Sequence, residues 1–140
     1  MKAKLTWKDG MNFTGVGDSS NQPVELDSSE LVGGKNLGAR PMELVAIGVA
    51  GCTSMDVVSI LRKMKVDFTA YEIEVDVTSS KEHPKIFTDM HFVYTVTGHD
   101  LDRESVEKAV KLSETKYCQG IAMMAKFAKI TSEVVIVEAD

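Results

Sequence analysis

The stretch that decides the fold runs from residue 40 to residue 61 and reads RPMELVAIGVAGCTSMDVVSIL. Pro41 suits the first turn of a helix, where its missing N–H costs nothing, and Glu43 places negative charge near the positive end of the helix dipole. Apolar residues then recur at steps of three and four, at Leu44, Ile47, Cys52, Met55, Val58 and Leu61. The pattern predicts a long helix, apolar almost all round, that lies at the centre of a core.

Strands are predicted on both sides of this helix because polarity alternates there from residue to residue. Their predicted ranges are 2–8, 12–16, 23–26, 71–78, 87–97 and 130–137. Two shorter helices are predicted at 102–113 and 117–126, and the Gly- and Ser-rich stretch 27–39 is predicted to be a mobile connection. The order of elements predicts an α+β fold, with antiparallel sheets around a long central helix, in one domain that spans residues 1–140.

Composition argues against two classes of partner, nucleic acids and membranes. The 140 residues carry a formal charge of −5, with 21 acidic against 16 basic residues, and no basic cluster provides the face that a nucleic acid requires. The N-terminal residues lack the apolar run of a signal peptide, and Glu43 and Asp56 interrupt the most apolar stretch, so we expect a core helix and no membrane partner. These features predict a cytoplasmic protein, in which a disulfide is transient because the compartment is reducing.

Two cysteines, Cys52 and Cys118, are the candidates for chemistry. They form no CxxC pair and no histidine is spaced with them as a metal set, so no metal site is predicted. The position of Cys52 by itself favours a core residue, since free cysteine is among the most buried residue types. Cys118 stands at an expected helix start, where the dipole and Lys116 lower a thiol pKa. A thiolate attacks a peroxide, and a second thiol within reach resolves the sulfenic acid as a disulfide.

Two motifs around these cysteines resemble those of the OsmC/Ohr superfamily, and most of all its YhfA-like branch. The first motif comprises residues 40–44, Gly48, residues 51–53 and residues 56–61, and the second comprises residues 112–118. The order of elements matches as well, so the resemblance covers essentially the whole chain. It implies an OsmC-like fold in an intertwined homodimer, with two long central helices at the core and the active sites at the interface.

The resemblance also implies an activity, namely a thiol-dependent peroxidase that reduces organic hydroperoxides without a cofactor. Cys52 is then the peroxidatic residue and Cys118 the resolving one, with a dihydrolipoyl-type thiol as reductant. Characterised members place a glutamate directly after the proline, where this chain has Met42, and supply an early arginine, whereas this chain has none before Arg40. Arg40 and Glu43 are therefore the candidate supporting residues. The simpler interpretation is a helix-start carboxylate for Glu43 and a solvated side chain for Arg40.

Two other interpretations stay open at the level of sequence. One is a dimer of the same fold that binds a small apolar ligand or senses redox state without peroxidase turnover, and it is motivated by the displaced glutamate and the missing early arginine. The other is a structural dimer whose cysteines only fill the core. Thiols that react only after denaturation are expected for the structural dimer, whereas slow, alkaline reaction of Cys52 together with saturable ligand binding is expected for the first.

Overall fold

The computed structural model describes all residues from Met1 to Asp140, and its strands and helices confirm the α+β class. The residues group into two compact units, Met1–Val45 and Ala46–Asp140. Each unit contains one three-stranded sheet. The long helix α1, Pro41–Lys63, begins at the end of the first unit and continues into the second. The single domain remains a prediction.

The first unit is an antiparallel meander of three strands, β1 (Ala3–Asp9), β2 (Asn12–Gly17) and β3 (Pro23–Leu26). All three were predicted to within a residue or so. The turn between β1 and β2 uses Gly10 at a φ of +55°, a left-handed conformation that glycine adopts without steric cost. Every residue of β1 is exposed, so this strand has no buried face within the chain.

The stretch 27–39 is organised around a carboxylate and is more ordered than the predicted mobile connection. Asp27 is only 3% exposed, and its two oxygens accept hydrogen bonds from the backbone N–H groups of Ser28, Lys35 and Leu37 at 2.8–3.2 Å. Burial of Asp27 opposes its ionisation, but these three N–H donors and the charge of Arg40 outweigh burial and lower the pKa of the carboxyl. The composition of the stretch could not reveal this order, because the groups that donate to Asp27 are backbone N–H groups and not side chains.

Helix α1 begins at Pro41, as predicted, and buries one side only. Its buried residues are Val49, Ala50, Thr53, Val57 and Leu61. They recur at steps of three and four, as one stripe of a helix does. By length and composition the helix could cross a membrane, a test that core helices of soluble proteins also pass, and 28% of its most apolar 18 residues is buried. The prediction of a helix at the centre of a core is therefore met on one side of α1 within a single copy of the chain.

The sheet of the second unit contains β4 (Phe68–Ser79), β5 (Phe87–Gly98) and β6 (Lys129–Glu138), with β5 in the middle. Alternate residues of β5 form the core beneath α1: Met90, Phe92, Tyr94 and Val96 are all fully buried. Burial of alternate residues agrees with the alternation of polarity from which this strand was predicted. The prediction of antiparallel pairing holds for β4 with β5 but is wrong for β6, which pairs parallel to β5. Helices connect β5 to β6, and a helical crossover returns the chain in the same direction.

The connection from β5 to β6 consists of α2 (Arg103–Leu112), a single π-helical turn (Ser113–Tyr117) and the short α3 (Gln119–Met124). The predicted α2 is confirmed, with Asp102 as its N-cap. The predicted helix over 117–126 is wrong at its start because Cys118 has an extended backbone, with φ −74° and ψ 106°. An extended residue is what an N-cap requires, so Cys118 ends the π turn and begins α3.

We expect the substitution Asp27→Asn to lower the melting temperature at neutral pH, since an amide cannot accept all three backbone hydrogen bonds. The folded-state pKa of Asp27 is depressed, so its stabilisation is present above the unfolded-state pKa and is lost as pH falls through the folded-state value. The difference in melting temperature between wild type and variant should therefore shrink in acid. Thermal unfolding across a pH series measures it, with Asp18→Asn at an exposed carboxylate as control. A difference that does not change with pH would contradict this account.

Candidate active site

The two cysteines lie together in the second unit. Cys52 is half-buried on α1, and Cys118 is 3% exposed at the start of α3. The Sγ atom of Cys118 accepts a hydrogen bond from the N–H of Ile121 at 3.3 Å, which is the N-cap interaction of α3. The Cys52 thiol adjoins the Cys118 thiol closely enough to alter its ionisation. Both are free thiols in this structure.

The environment of Cys118 favours its protonated form. Burial is the largest cause, the N–H of Ile121 opposes it, and the neighbouring Cys52 adds to it, so that the pKa of Cys118 is raised to about 11. The prediction that the helix dipole and Lys116 lower this pKa is therefore wrong. Desolvation exceeds the effect of the short helix α3, and the ammonium of Lys116 lies 5.3 Å from the ring centre of Tyr117.

A glycine allows the two cysteine segments to approach each other. A Cβ atom added to Gly120 would lie 3.3 Å from the Cα of Val49 and 3.5 Å from its side chain. This spacing is tighter than ordinary packing, so the first turn of α3 lies directly against the backbone of α1, one turn before Cys52. Without a side chain at residue 120, Cys118 reaches Cys52.

The π turn fixes the other side of Cys118. The N–H of Cys118 donates to the carbonyl of Ser113 at 2.8 Å and closes the turn. The hydroxyl of Ser113 lies 2.8 Å from Oγ1 of Thr53, the residue that follows Cys52. Ser113 therefore links the backbone of one cysteine to the neighbour of the other. π turns occur frequently at functional sites.

Hydrogen bonds extend from this link through the core. Thr53 Oγ1 lies 2.9 Å from the hydroxyl of Tyr94, which donates to Glu114 Oε1 at 3.0 Å, and Ser113 Oγ donates to Asp56 Oδ2 at 3.0 Å. We call Asp56, Ser113, Thr53, Tyr94 and Glu114 the hydroxyl chain. Its three hydroxyl residues are fully buried and its two carboxyl residues are partly exposed. Burial raises the pKa of Tyr94 far above its usual value, so its phenol stays protonated.

The hydroxyl chain was missed at the sequence level, although two signals point to it. Thr53 is a polar residue within the buried stripe of α1, and Tyr94 shares the inward register of β5 with Met90 and Phe92. A hydroxyl in such a position must find a hydrogen-bond partner. The sequence cannot name those partners because they come from another element of the fold.

The two candidate supporting residues meet at the start of α1. Glu43 Oε2 accepts a hydrogen bond from the N–H of Arg40 at 3.2 Å, which is half of a capping box. The guanidinium of Arg40 donates to Asn36 Oδ1 at 2.8 Å and to the carbonyl of Gly38 at 3.2 Å. Lys35, in the same loop as Asn36, pairs with Asp9 at 3.4 Å on the surface. Each residue thus has a structural partner within the first unit.

An open cleft follows the exposed side of α1 after Cys52. Its volume is about 570 Å³, and its lining residues are Ser54, Met55, Val58, Ser59, Arg62 and Lys63. Tyr71 of β4 donates a hydrogen bond to Ser54 at 2.9 Å at its edge. Apolar side chains form much of this surface, so it suits an apolar group or another apolar surface.

Comparison with known proteins places this chain in a family. A family model described as OsmC-like protein matches residues 33–133. Protein YhfA of Escherichia coli K12 is 35% identical over 139 residues, which span 99% of this chain and all of that protein. The chain belongs to the OsmC-like family. The resemblance seen in the two cysteine motifs is confirmed.

Solved structures agree with the assignment to the OsmC-like fold. A hypothetical protein from Aquifex aeolicus is 26% identical, with a TM-score of 0.79 over 96% of each chain. The organic hydroperoxide resistance protein OhrB of Bacillus subtilis superposes with a TM-score of 0.62 over 96% of this chain and 98% of its own. At 20% identity this second likeness concerns the fold.

We expect the substitution Gly120→Ala to separate the cysteines. The added methyl group meets the α1 backbone at Val49, and overpacking of this kind costs about 1–3 kcal/mol of unfolding free energy. Disulfide formation between Cys52 and Cys118 should become slower because α3 must move outward. Denaturant unfolding and the rate of thiol loss with an oxidant measure the two effects. Gly17→Ala is the control, since a Cβ there meets nothing within 4 Å. Equal rates in both variants would contradict the role of Gly120.

Proposed function

We propose that this protein is a cytoplasmic thiol-dependent peroxidase that reduces organic hydroperoxides through Cys52 and Cys118. The observation that carries the proposal is the contact of two free thiols brought together by α1 and α3. Membership of the OsmC-like family supports it, as does the common fold with a protein named for organic hydroperoxide resistance.

The environments of the two thiols support different roles. Cys52 is the more accessible, so it attacks the hydroperoxide as a thiolate: its sulfur bonds to the terminal oxygen, the O–O bond breaks, and a proton converts the departing alkoxide to an alcohol. Cys118 is buried, which suits the resolving thiol because that thiol meets the sulfenic acid of Cys52 and not the hydroperoxide. It attacks the sulfenic acid, a disulfide forms and water leaves. An external dithiol of the dihydrolipoyl type then restores both thiols.

Arg40 and Glu43 remain proposed supporting residues, and the hydrogen bonds of each give it a structural role at the start of α1. The Glu43 carboxylate satisfies the N–H of Arg40, and the guanidinium of Arg40 orders the loop residues Asn36 and Gly38. We infer that they act on the reaction through the placement of the start of α1. Loss of either is then expected to affect stability along with activity.

We also propose that the protein acts as a homodimer. Much of α1 is apolar and exposed, with Ile47 at 58% and Met55 at 77% exposure. Gly48 and Gly51 have no neighbouring heavy atom within 4 Å of an added Cβ, which leaves room for a second backbone. An apolar face of this extent on a soluble protein marks an interaction surface. A second copy of α1 matches it in length and character.

Substitution of each cysteine should have a different effect on turnover. We expect Cys52→Ser to abolish consumption of cumene hydroperoxide, because no other residue forms the sulfenic acid. Cys118→Ser should consume one equivalent and then stop with a sulfenic acid, unless an external thiol is present. Thiol titration and mass spectrometry after one equivalent of peroxide measure both. Wild type should lose two thiols per chain and gain a Cys52–Cys118 disulfide, and full activity in Cys52→Ser would contradict the proposal.

Substitution on the exposed side of α1 tests the dimer. We expect Met55→Glu to yield a monomer, since a charge within an apolar interface is strongly unfavourable. Light scattering coupled to gel filtration measures the mass of each variant. Ile86→Glu is the control, because Ile86 is 48% exposed in the connection between β4 and β5 and lies outside α1. A monomeric wild type would contradict this part of the proposal.

A second candidate function is binding of a small apolar ligand, or redox sensing, without peroxidase turnover. The cleft of about 570 Å³ beside α1 and the high pKa of Cys118 favour it. Both thiols would then survive one equivalent of cumene hydroperoxide, and a fluorescent fatty acid would bind with saturation. The same thiol titration therefore separates the two functions.

A further inference from the structure

The hydroxyl chain contains fewer protons than its geometry requires. Four short contacts join its five members in a line: Asp56 to Ser113 at 3.0 Å, Ser113 to Thr53 at 2.8 Å, Thr53 to Tyr94 at 2.9 Å, and Tyr94 to Glu114 at 3.0 Å. Each contact needs one proton between its oxygens. A hydroxyl has one proton to donate, and an ionised carboxylate has none.

Three hydroxyls therefore supply three protons to four contacts when both carboxyls are ionised. One pair of oxygens would then face each other at 2.8–3.0 Å in the core with no proton between them. The hydroxyls of Thr53, Ser113 and Tyr94 are fully buried, so unbridged lone pairs there are costly. The hydroxyl of Ser113 can also donate to the carbonyl of Thr53 at 3.3 Å. A proton used there leaves one fewer for the four contacts.

We propose that the hydroxyl chain binds one additional proton, shared between the carboxyl groups of Asp56 and Glu114. With this proton, all four contacts are hydrogen bonds, and they point in one of two directions. In one arrangement Asp56 is the acid and the donors run towards Glu114; in the other, Glu114 is the acid and they run towards Asp56. Transfer of one proton across each of the four contacts converts one arrangement into the other, so that one carboxyl group loses a proton and the other gains one.

The two ends of the chain lie in different surroundings. Glu114 faces a pocket of about 310 Å³, whose other charged residues are Glu107, Lys111 and Glu133, and its second oxygen accepts a hydrogen bond from Ser132 at 3.1 Å. This end exchanges protons with solvent. Asp56 lies one helical turn after Cys52 on α1, and residues four apart share a helix face. The chain therefore connects a solvent-facing acid with an acid next to the reactive thiol.

The consequence for chemistry rests on the proposed function. Attack of the Cys52 thiolate on a hydroperoxide forms the S–O bond, breaks the O–O bond and releases an alkoxide that takes up one proton. The chain supplies that proton from Asp56, and Glu114 takes up another from solvent. Asp56, Ser113, Thr53, Tyr94 and Glu114 act here as positioning and relay residues, since the hydroperoxide meets Cys52.

Infrared spectroscopy of the reduced protein in D2O at neutral pH tests the additional proton without any peroxide. We expect the carbonyl stretch of one protonated carboxylic acid per chain. Thr53→Val and Tyr94→Phe should both lose this band, although neither removes a carboxyl, because the remaining hydroxyls then satisfy the remaining contacts. Tyr71→Phe removes a half-buried tyrosine hydroxyl that bonds to Ser54, outside the hydroxyl chain, and should retain the band. No band in wild type, or a band that persists in both folded variants, would overturn the proposal.

Stopped-flow measurement of sulfenic acid formation with cumene hydroperoxide tests the relay. We expect Thr53→Val and Tyr94→Phe to be slower than Tyr71→Phe by about 100-fold, the lower end of what a positioned proton donor contributes. If wild type shows the band but no peroxide consumption, the proposed function fails and the shared proton stands. If the band is present and all rates are equal, the relay fails and the peroxidase stands.

Discussion

The arrangement of the site depends on the two hydrogen-bond contacts that the hydroxyl of Thr53 makes. It is fully buried on α1 and contacts both Tyr94 of β5 and Ser113 at the start of the π turn. Three elements distant in sequence are thus joined at one oxygen, directly beside Cys52. A hydrophobic contact at this position would hold the elements together but would allow them to slide, whereas two hydrogen bonds define distance and direction. The close contact of Gly120 with Val49 completes the arrangement from the other side of Cys118.

Much of the fold could be predicted from the sequence because its strongest signals are local. The start of α1 at Pro41 and the inward register of β5 follow from backbone preference and periodicity, which depend on neighbouring residues alone. The direction of β6 and the break of the last helix at Cys118 could not be predicted in the same way. Both depend on packing between distant segments. The helical crossover sets the direction of β6, and the buried side chain of Cys118 serves as the N-cap of α3.

The site was predictable in its cysteines and unpredictable in their electrostatics. Two cysteine motifs and their order named the pair, but a sequence shows neither burial nor neighbours. The expected lowering of the Cys118 pKa considered only the dipole and one lysine, and desolvation outweighs both. The hydroxyl chain could not be predicted for a related reason. The hydroxyls of threonine, serine and tyrosine need partners within the protein only when the fold buries them away from water.

The burial pattern of the first unit has a consequence for local stability. Among its residues only Asn12 and Asp27 are buried, and both are polar. A three-stranded sheet with no buried apolar residue gains little free energy from its own hydrophobic burial, and its order rests on backbone and carboxylate hydrogen bonds. Stability is therefore distributed unevenly along the chain, with a rigid region around β5 and a region of low local opening energy in the first 45 residues.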